Sequence, residues 1–235
     1  MKTNEELLSV LPSVLSPDEI GDEHLYSSVA TPLRDDAFAL SDEEKIAKIT
    51  DHFHEIMNTL GLDLTDDSLK GTPHRVAKMY VQEIFSGLNP ANKPASRLFE
   101  NGYRYDEMLI EKNITLFSWC EHHFVPIIGK VHVAYISNGH VIGLSKINRL
   151  VQYYAKRPQV QERLTLQIAE GLKEALQSED VAVIVDAVHL CVASRGIRDT
   201  NSGTVTVSYS GKFRQEKCKA EFLALTGSGR IDTHC

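Results

Sequence analysis

The sequence contains no apolar run near the roughly 20 residues that a bilayer span demands, which argues against a membrane role. Its opening, Met1 to Glu6, lacks the basic-then-apolar pattern of a secretory signal. Cysteine is scarce: four in 235 residues do not make a disulfide framework, so a reducing, cytoplasmic setting is expected. Long basic runs are missing too, and nucleic acid is not an expected partner. There is no internal repeat and no low-complexity tract. The net charge of −7 is uneven, because eleven acids up to Glu44 face only Lys2 and Arg34. The remainder is near neutral. An anionic small substrate would therefore need cations gathered in one site rather than a global field.

What is present suits one globular body with an appended helical segment. Hydrophobic residues make up 42% of the chain, enough at this length to bury a core. Residues 1–40, broken by Pro12, Pro17 and Pro32, read as weakly structured, with a short helix possible around Leu7-Leu8 and Val10-Leu11. Ser41 followed by Glu44 is a capping box, opening a helix with Ile46, Ile49, Phe53, Ile56, Met57 and Leu60 as its stripe and Gly61 as its end. Thr72-Pro73 cap and open a second helix, expected to reach Phe85. These make a helical pair over 41–88, and 89–235 is the main domain. Within it, 89–105 reads as a connection. Ile114, Leu116, Ser118 and Cys120 alternate with Thr115, Phe117 and Trp119, as in a half-buried strand. A strand over 130–136 leads to Asn138-Gly139, a hairpin signal, with His140 to Leu144 expected to pair back. Ser145 is expected to cap a helix and Pro158 to open another, striped by Leu164, Ile168, Leu172 and Leu176. From 181 to 193 a period of two puts Val181, Val183, Val185, Ala187, His189, Cys191 and Ala193 on one face. A strand at Thr204–Tyr209 and a helix from about Gln215 to Leu225 follow. The fold class is α+β.

The chemistry concentrates in Ser118-Trp119-Cys120-Glu121-His122-His123. A thiol and an imidazole three positions apart suit one zinc ion, and Cys191 offers a third ligand. Three ligands with one open position make a catalytic zinc; a closed site with His122 or His189 as fourth ligand is the structural alternative. Otherwise His122 and His189 stand by as proton donors and acceptors. His52 and His54, two apart on a helix, read as surface histidines, Cys218 as an ordinary helix cysteine, and His234 with Cys235 as incidental. Arg75, Lys146, Arg149 and Arg195 all fall near element ends and, clustered, would grip a polyphosphate. Gln161-Glu162, near a helix start, could accept two donors from one guanine edge. Any one of these taken singly reads better as a solvated surface group.

These residues closely resemble GTP cyclohydrolase I. The resemblance rests on Cys120 to Phe124, Ile142 to Arg149, Arg157 to Leu164, His189-Leu190-Cys191 with Arg195-Gly196, and Thr72 to Tyr80, all in order across about residues 41–225. It implies the tunnelling fold, an antiparallel sheet with helices on one side preceded by a helical pair. It also implies a homodecamer of two pentamers with active sites between subunits. In that frame Zn2+ is held by Cys120, His123 and Cys191, with His122 and His189 as the catalytic imidazoles. Gln161 and Glu162 hold the guanine of GTP, Ser145 lies by the ribose and phosphates, and Lys146, Arg195, Arg75 and Arg149 contact the triphosphate. The implied reaction begins with hydroxide attack at C8 of GTP and ends in 7,8-dihydroneopterin triphosphate and formate, the first step towards tetrahydrofolate or tetrahydrobiopterin. Two other readings stand beside it. One is another tunnelling-fold enzyme, such as a nitrile reductase or a pterin synthase. The other is a non-catalytic, zinc-stabilised ring scaffold that binds a nucleotide.

Overall fold

The computed structural model describes residues 28–95 and 98–227. The expected short helix near Leu7 and the His234–Cys235 tail lie outside them. Residues 28–40 carry turns but no helix or strand.

Helix α1 (Asp42–Thr59) starts at the expected capping box. Ser41 Oγ accepts from the Glu44 N–H at 3.2 Å, and the Glu44 carboxylate accepts from the Ser41 N–H at 2.8 Å. Two otherwise orphaned donors are thereby satisfied. Only Ile46 and Met57 of its apolar stripe are buried, whereas Leu60 is 72% exposed. Helix α2 (Thr72–Lys78) is capped by Gly71, one residue earlier than expected, and runs without a break into a π-helical turn, Met79–Ile84. That turn brings Tyr80 and Phe85 against Phe124, with ring centroids 6.3 and 5.1 Å apart.

The main sheet orders its strands β5-β2-β3-β6-β7. These are β2 (Met108–Cys120), β3 (Pro126–Ile136), β5 (Pro158–Gln159), β6 (Val181–His189) and β7 (Thr204–Tyr209). All its pairings are antiparallel except the two-residue β5, which runs parallel to β2. The alternation read in β2 holds: Ile114, Leu116, Ser118 and Cys120 are buried while Thr115 and Phe117 face out. Helices α3 (Leu144–Ala155) and α4 (Gln161–Leu176) cover one face. There Val131, Val133, Val183 and Val185 meet Ile147, Leu150, Leu164, Ile168 and Leu172 in the principal core. Each such fully buried aliphatic side chain contributes about 1.5–3 kcal/mol. On the opposite face, α6 (Glu216–Thr226) covers one end, where Phe213 and Phe222 pack on Ala134, Ile136, Ala182 and Ile184. The class is α+β, as expected.

Several local expectations are corrected. His140 to Leu144 does not pair back on β3: β4 (His140–Ile142) pairs with β1 (Leu98–Glu100) in a separate two-stranded sheet. Backbone groups of β3 are already taken by β2 on one side and β6 on the other. Ser145 is not a cap; Gly143 holds that place, with extended backbone before Leu144. Pro158 does not open α4 but forms β5 with Gln159, and Val160 precedes the first helical residue. The strand expected over 181–193 stops at His189, and α5 (Leu190–Ala193) is a single helical turn. Cys191 and Ala193 therefore do not share a strand face with His189.

The helical pair is fixed to the body through Gly87. Its N–H donates to the Lys156 carbonyl at 2.9 Å, and its carbonyl accepts from Arg157 Nε at 2.8 Å. A Cβ on Gly87 would collide with the Tyr153 carbonyl, so this close approach requires glycine.

Candidate functional site

Three element ends converge on the site: the turn after β2, the start of α4 and the end of β6. The β2–β3 turn is tight. Phe124 N–H donates to the Cys120 carbonyl and Cys120 N–H to the Val125 carbonyl, each at 2.9 Å. Phe124 closes it in the left-handed region, φ +52, which a non-glycine residue enters at a cost of about 1 kcal/mol. The turn leaves Cys120 buried and carries His122 and His123 to the surface. The base of the turn is held by Ser118, whose buried hydroxyl donates to the Ala155 carbonyl at 2.8 Å.

The turn at Leu190 brings Cys191 to this point. The donor atoms of Cys120, His123 and Cys191 all lie within 4.8 Å of one another. Two thiols and an imidazole at such spacing fit a zinc ion by donor chemistry. Burial pushes the Cys191 thiol above its ordinary range, and the neighbouring Cys120 adds to the shift. A bound cation reverses that balance, since a coordinating thiol is deprotonated. His122 Nδ1 lies 3.7 Å from Cys120 Sγ. Arg195 Nη1 lies 2.6 Å from His123 Nε2, which puts a guanidinium at the rim.

His189 is fixed by Gln161. The buried Gln161 amide donates its two Nε2 protons to the carbonyls of Val185 (3.1 Å) and Thr204 (2.8 Å), with Thr206 Oγ1 also 3.2 Å from Nε2. Carbonyl oxygens only accept, which sets the amide orientation and points Oε1 at His189 Nε2, 2.8 Å away. An amide oxygen only accepts, so this network assigns the His189 proton to Nε2 and leaves Nδ1 as the acceptor. Burial lowers the His189 pKa and the Glu162 carboxylate opposes it, which favours a neutral ring near pH 7. Glu162 itself is exposed at the start of α4. The Gln161 side chain is thus spent inward, and the part of it left to face a ligand is backbone.

The remaining expected residues stand elsewhere. α3 runs alongside β2 in the same direction: Asn148 Nδ2 donates to Glu111 at 3.0 Å, and Gln152 Nε2 to the Thr115 carbonyl at 2.6 Å. Ser145 and Lys146 therefore sit about 15 Å along the helix from the Ala155 end that touches Ser118. Arg149 borders a hollow with Lys156 and Gln152. Arg75 turns back on its own loop, donating to Thr72 Oγ1 at 2.8 Å and the Ser68 carbonyl at 3.2 Å. The local reason for a basic residue at that helix start is this loop. His52 and His54 are exposed, as expected. A groove of about 550 Å3 lies behind Phe124 rather than over the thiols, between Phe53, Tyr80, Phe85 and Ile56. Its lining is mostly apolar and unsuited to a triphosphate.

One residue at the site escaped the sequence reading. Arg163 is buried, 5% exposed, and its two Nη atoms face the two carboxylate oxygens of Glu121, Nη1 with Oε2 and Nη2 with Oε1 at 3.3 Å. Its Nε donates to the Ser28 carbonyl at 2.7 Å. The available signal was a pair of opposite charges, one between Cys120 and His122 and one beside Glu162.

A family model described as GTP cyclohydrolase I matches residues 49–227. The chain is 63% identical over 206 residues to a GTP cyclohydrolase 1 of Flavobacterium johnsoniae, covering 88% of this chain and 92% of that one. It is 53% identical over 205 residues to one of Salmonella gallinarum, covering 87% and 92%. To one of Escherichia coli it is 52% identical over 215 residues, covering 91% and 97%. Among solved structures, the apo archaeosine synthase QueF-Like has a TM-score of 0.38 at 22% identity, covering 44% of this chain and 93% of that one.

Proposed function

The chain belongs to the GTP cyclohydrolase I family, and on that premise we propose that it hydrolyses GTP to 7,8-dihydroneopterin triphosphate and formate with a zinc ion held by Cys120, His123 and Cys191. The observation that carries this reading is the convergence of two thiols and one imidazole from separate parts of the chain, with His122 and a Gln161-oriented His189 beside them.

Zinc at this position supplies Lewis acidity, which makes water a competent nucleophile near pH 7. The chain's own groups do the rest. Glu162 accepts from the donor edge of guanine, and the backbone at Gln161 adds to the grip. His122 or His189 delivers a proton to N7 as water adds at C8, and the imidazole ring opens to a formamide. A second addition of water releases C8 as formate. The ribose opens, isomerises to a ketose and condenses with the freed amine, losing one water, so that one water is consumed overall. His189, oriented through Nε2, presents Nδ1 to the protons this sequence moves: the neutral ring takes one up there, and the charged ring gives it back.

The triphosphate falls to Arg195 at the rim and to Lys146, Arg149 and Arg75, with Ser145 by the ribose. Ser145 and Lys146 lie at the far end of α3 from the thiols, which supports a site completed by neighbouring copies in a homodecamer. We assign residues 1–40 to an N-terminal segment, 41–88 to a helical pair that serves assembly, and 89–235 to the catalytic domain. Thiol ligands suit the reducing cytoplasm, and the product feeds tetrahydrofolate or tetrahydrobiopterin synthesis.

The test is a metal-replete assay that follows GTP into a fluorescent oxidised pterin and formate together. Equal yields of both are expected. GTP binding without turnover would instead favour the zinc-stabilised scaffold.

A further inference from the structure

Arg163 links three stretches of chain that are far apart in sequence. Glu121, its bidentate partner, sits between Cys120 and His122 in the metal-binding turn. Arg163 itself directly follows Gln161 and Glu162 in the first turn of α4. Its third donor, Nε, is taken by the Ser28 carbonyl. A short strap, residues 28–31, is held by the same helix: Gln167 Nε2 donates to the Val29 carbonyl at 2.7 Å and to Thr31 Oγ1 at 3.2 Å. The planar, five-donor guanidinium suits such a joint, because its fork fixes the angle between the groups it binds. The pair is nearly dry, with the Arg163 side chain 4% and the Glu121 side chain 21% exposed, so water does not compete strongly for either group. The base of the same turn is also tied to β5 by backbone, Glu121 N–H donating to the Gln159 carbonyl at 3.0 Å.

We propose that Arg163 is a positioning residue: by gripping Glu121 and the Ser28 carbonyl together, it sets the metal-binding turn against the helix start that holds guanine. The inference rests on the function proposed above for its catalytic meaning, but its geometric content concerns the Cys120–His123 turn alone. Neither Arg163 nor Glu121 touches the reacting atoms in this scheme. Residues 28–31 lie outside the stretch matched by the family model, yet they supply one of the three contacts.

Three chains test it: Arg163→Met, Glu121→Leu, and both together, each compared with wild type for Tm, kcat, KM for GTP and the visible spectrum of the cobalt(II)-substituted protein. Each single variant leaves one buried charge alone and is expected to lose stability. The double variant exchanges a buried pair for apolar groups, a change often neutral for stability. It is expected to regain most of the Tm while kcat stays about 10–100-fold down, the usual loss when an outer partner of a metal site is removed. Its cobalt bands should be displaced from wild type. A merely structural pair predicts that kcat and the cobalt spectrum recover along with Tm, and that result overturns the proposal. A second pair of chains addresses the strap. Removing residues 1–27 should leave kcat within about twofold, whereas removing 1–32 should lower it towards the Arg163→Met level; equal kcat in both removes Ser28 from the joint. A wild-type chain inert towards GTP, with cobalt bands that still shift in the double variant, sinks the activity but keeps the joint. An unshifted spectrum sinks the joint whatever the activity.

Discussion

Gln161→Leu is the most informative single change, because the structure gives its amide an orienting role rather than a binding one. The substitution keeps the backbone and most of the volume, but removes two donated hydrogen bonds and the acceptor for His189 Nε2. At about 1 kcal/mol net for each bond, stability should fall by about 3 kcal/mol. The Val185 and Thr204 carbonyls are left short of a donor, which works in the same direction. His189 loses the contact that fixes its proton on Nε2, so kcat should fall about 10–100-fold. KM for GTP should move little, since Glu162 and the backbone at 161 are unchanged. Metal content should stay at the wild-type level. The deciding measurement is a double-mutant cycle with His189→Ala, which alone should cost about 10²–10⁴ in kcat. If Gln161 acts through His189, the double variant is no slower than His189→Ala by itself. Losses that multiply, or a large rise in KM in Gln161→Leu alone, would refute the reasoning and return the side chain to guanine.

Other outcomes follow from the same geometry. Cys120→Ser, His123→Ala and Cys191→Ser should each lose bound metal and turnover together, whereas His122→Ala should keep the metal and lower kcat about 10²–10⁴-fold; metal analysis beside turnover checks both. Lys146→Ala and His122→Ala chains, each nearly inactive alone, should regain activity when unfolded together and reassembled, if each site draws on two copies; no recovery in mixed assemblies of native mass counts against a shared site. Burial holds the His132 pKa below its ordinary 6.5, with Lys130 and Lys112 acting in the same direction and Asp186 against. The unfolded chain therefore takes up the proton first. The stability associated with neutral His132 is complete above about pH 6.5 and declines below it, by at most about 1.4 kcal/mol per pH unit until the folded pKa is reached. Urea midpoints for wild type and His132→Leu at pH 7.5 and 5.5 should diverge in slope accordingly.

What could be read in the sequence was mostly what neighbours along the chain decide. Ser41 and Glu44 satisfy each other's backbone within one turn, so the start of α1 was legible from four residues. The alternation in β2 was legible because one buried face imposes a period of two. Legibility failed where a distant partner decided. Asn138-Gly139 marks a turn, but nothing local reveals that the strand after it joins Leu98–Glu100 rather than the strand before it. The period-two pattern ran on through Cys191 because alanine, valine and cysteine suit a strand or a helical turn equally well. The three candidate ligands converge because Cys120 and His123 lie on one turn, and Cys191 needed only to reach it. Gln161 was placed at the site but assigned an outward role, since no local pattern shows which way an amide at a helix start will face. Arg163 was passed over for the same reason: a charged residue in a first helical turn reads as solvated until its partner is known.

The division of the site along α3 makes assembly part of the chemistry proposed here. One end of that helix meets Ser118 below the metal-binding turn, and the other carries Ser145 and Lys146 about 15 Å away. A rigid helix in a packed core cannot bring Ser145 and Lys146 round to the end that holds the thiols. Ile147, Leu150 and Val151 lock α3 against β2 and β3, so sliding the helix along the sheet would expose the core to bring one lysine closer. Moving a second copy into place costs no core at all. The exposed stripe of α1, with Ile56 and Leu60 facing outward, is apolar surface that such a copy would cover. On this reasoning GTP affinity and ring assembly are linked. Subsaturating GTP should shift the mass distribution of a dilute chain towards the ring, because a ligand that binds only the assembled state stabilises it. Inorganic triphosphate should do so less, since it engages the cations but not Glu162. Mass photometry over a dilution series, with and without each ligand, measures the shift. A mass distribution indifferent to GTP at concentrations that saturate turnover would mean that each chain builds its phosphate site alone, and α3 would then have to be bent or displaced in the bound state.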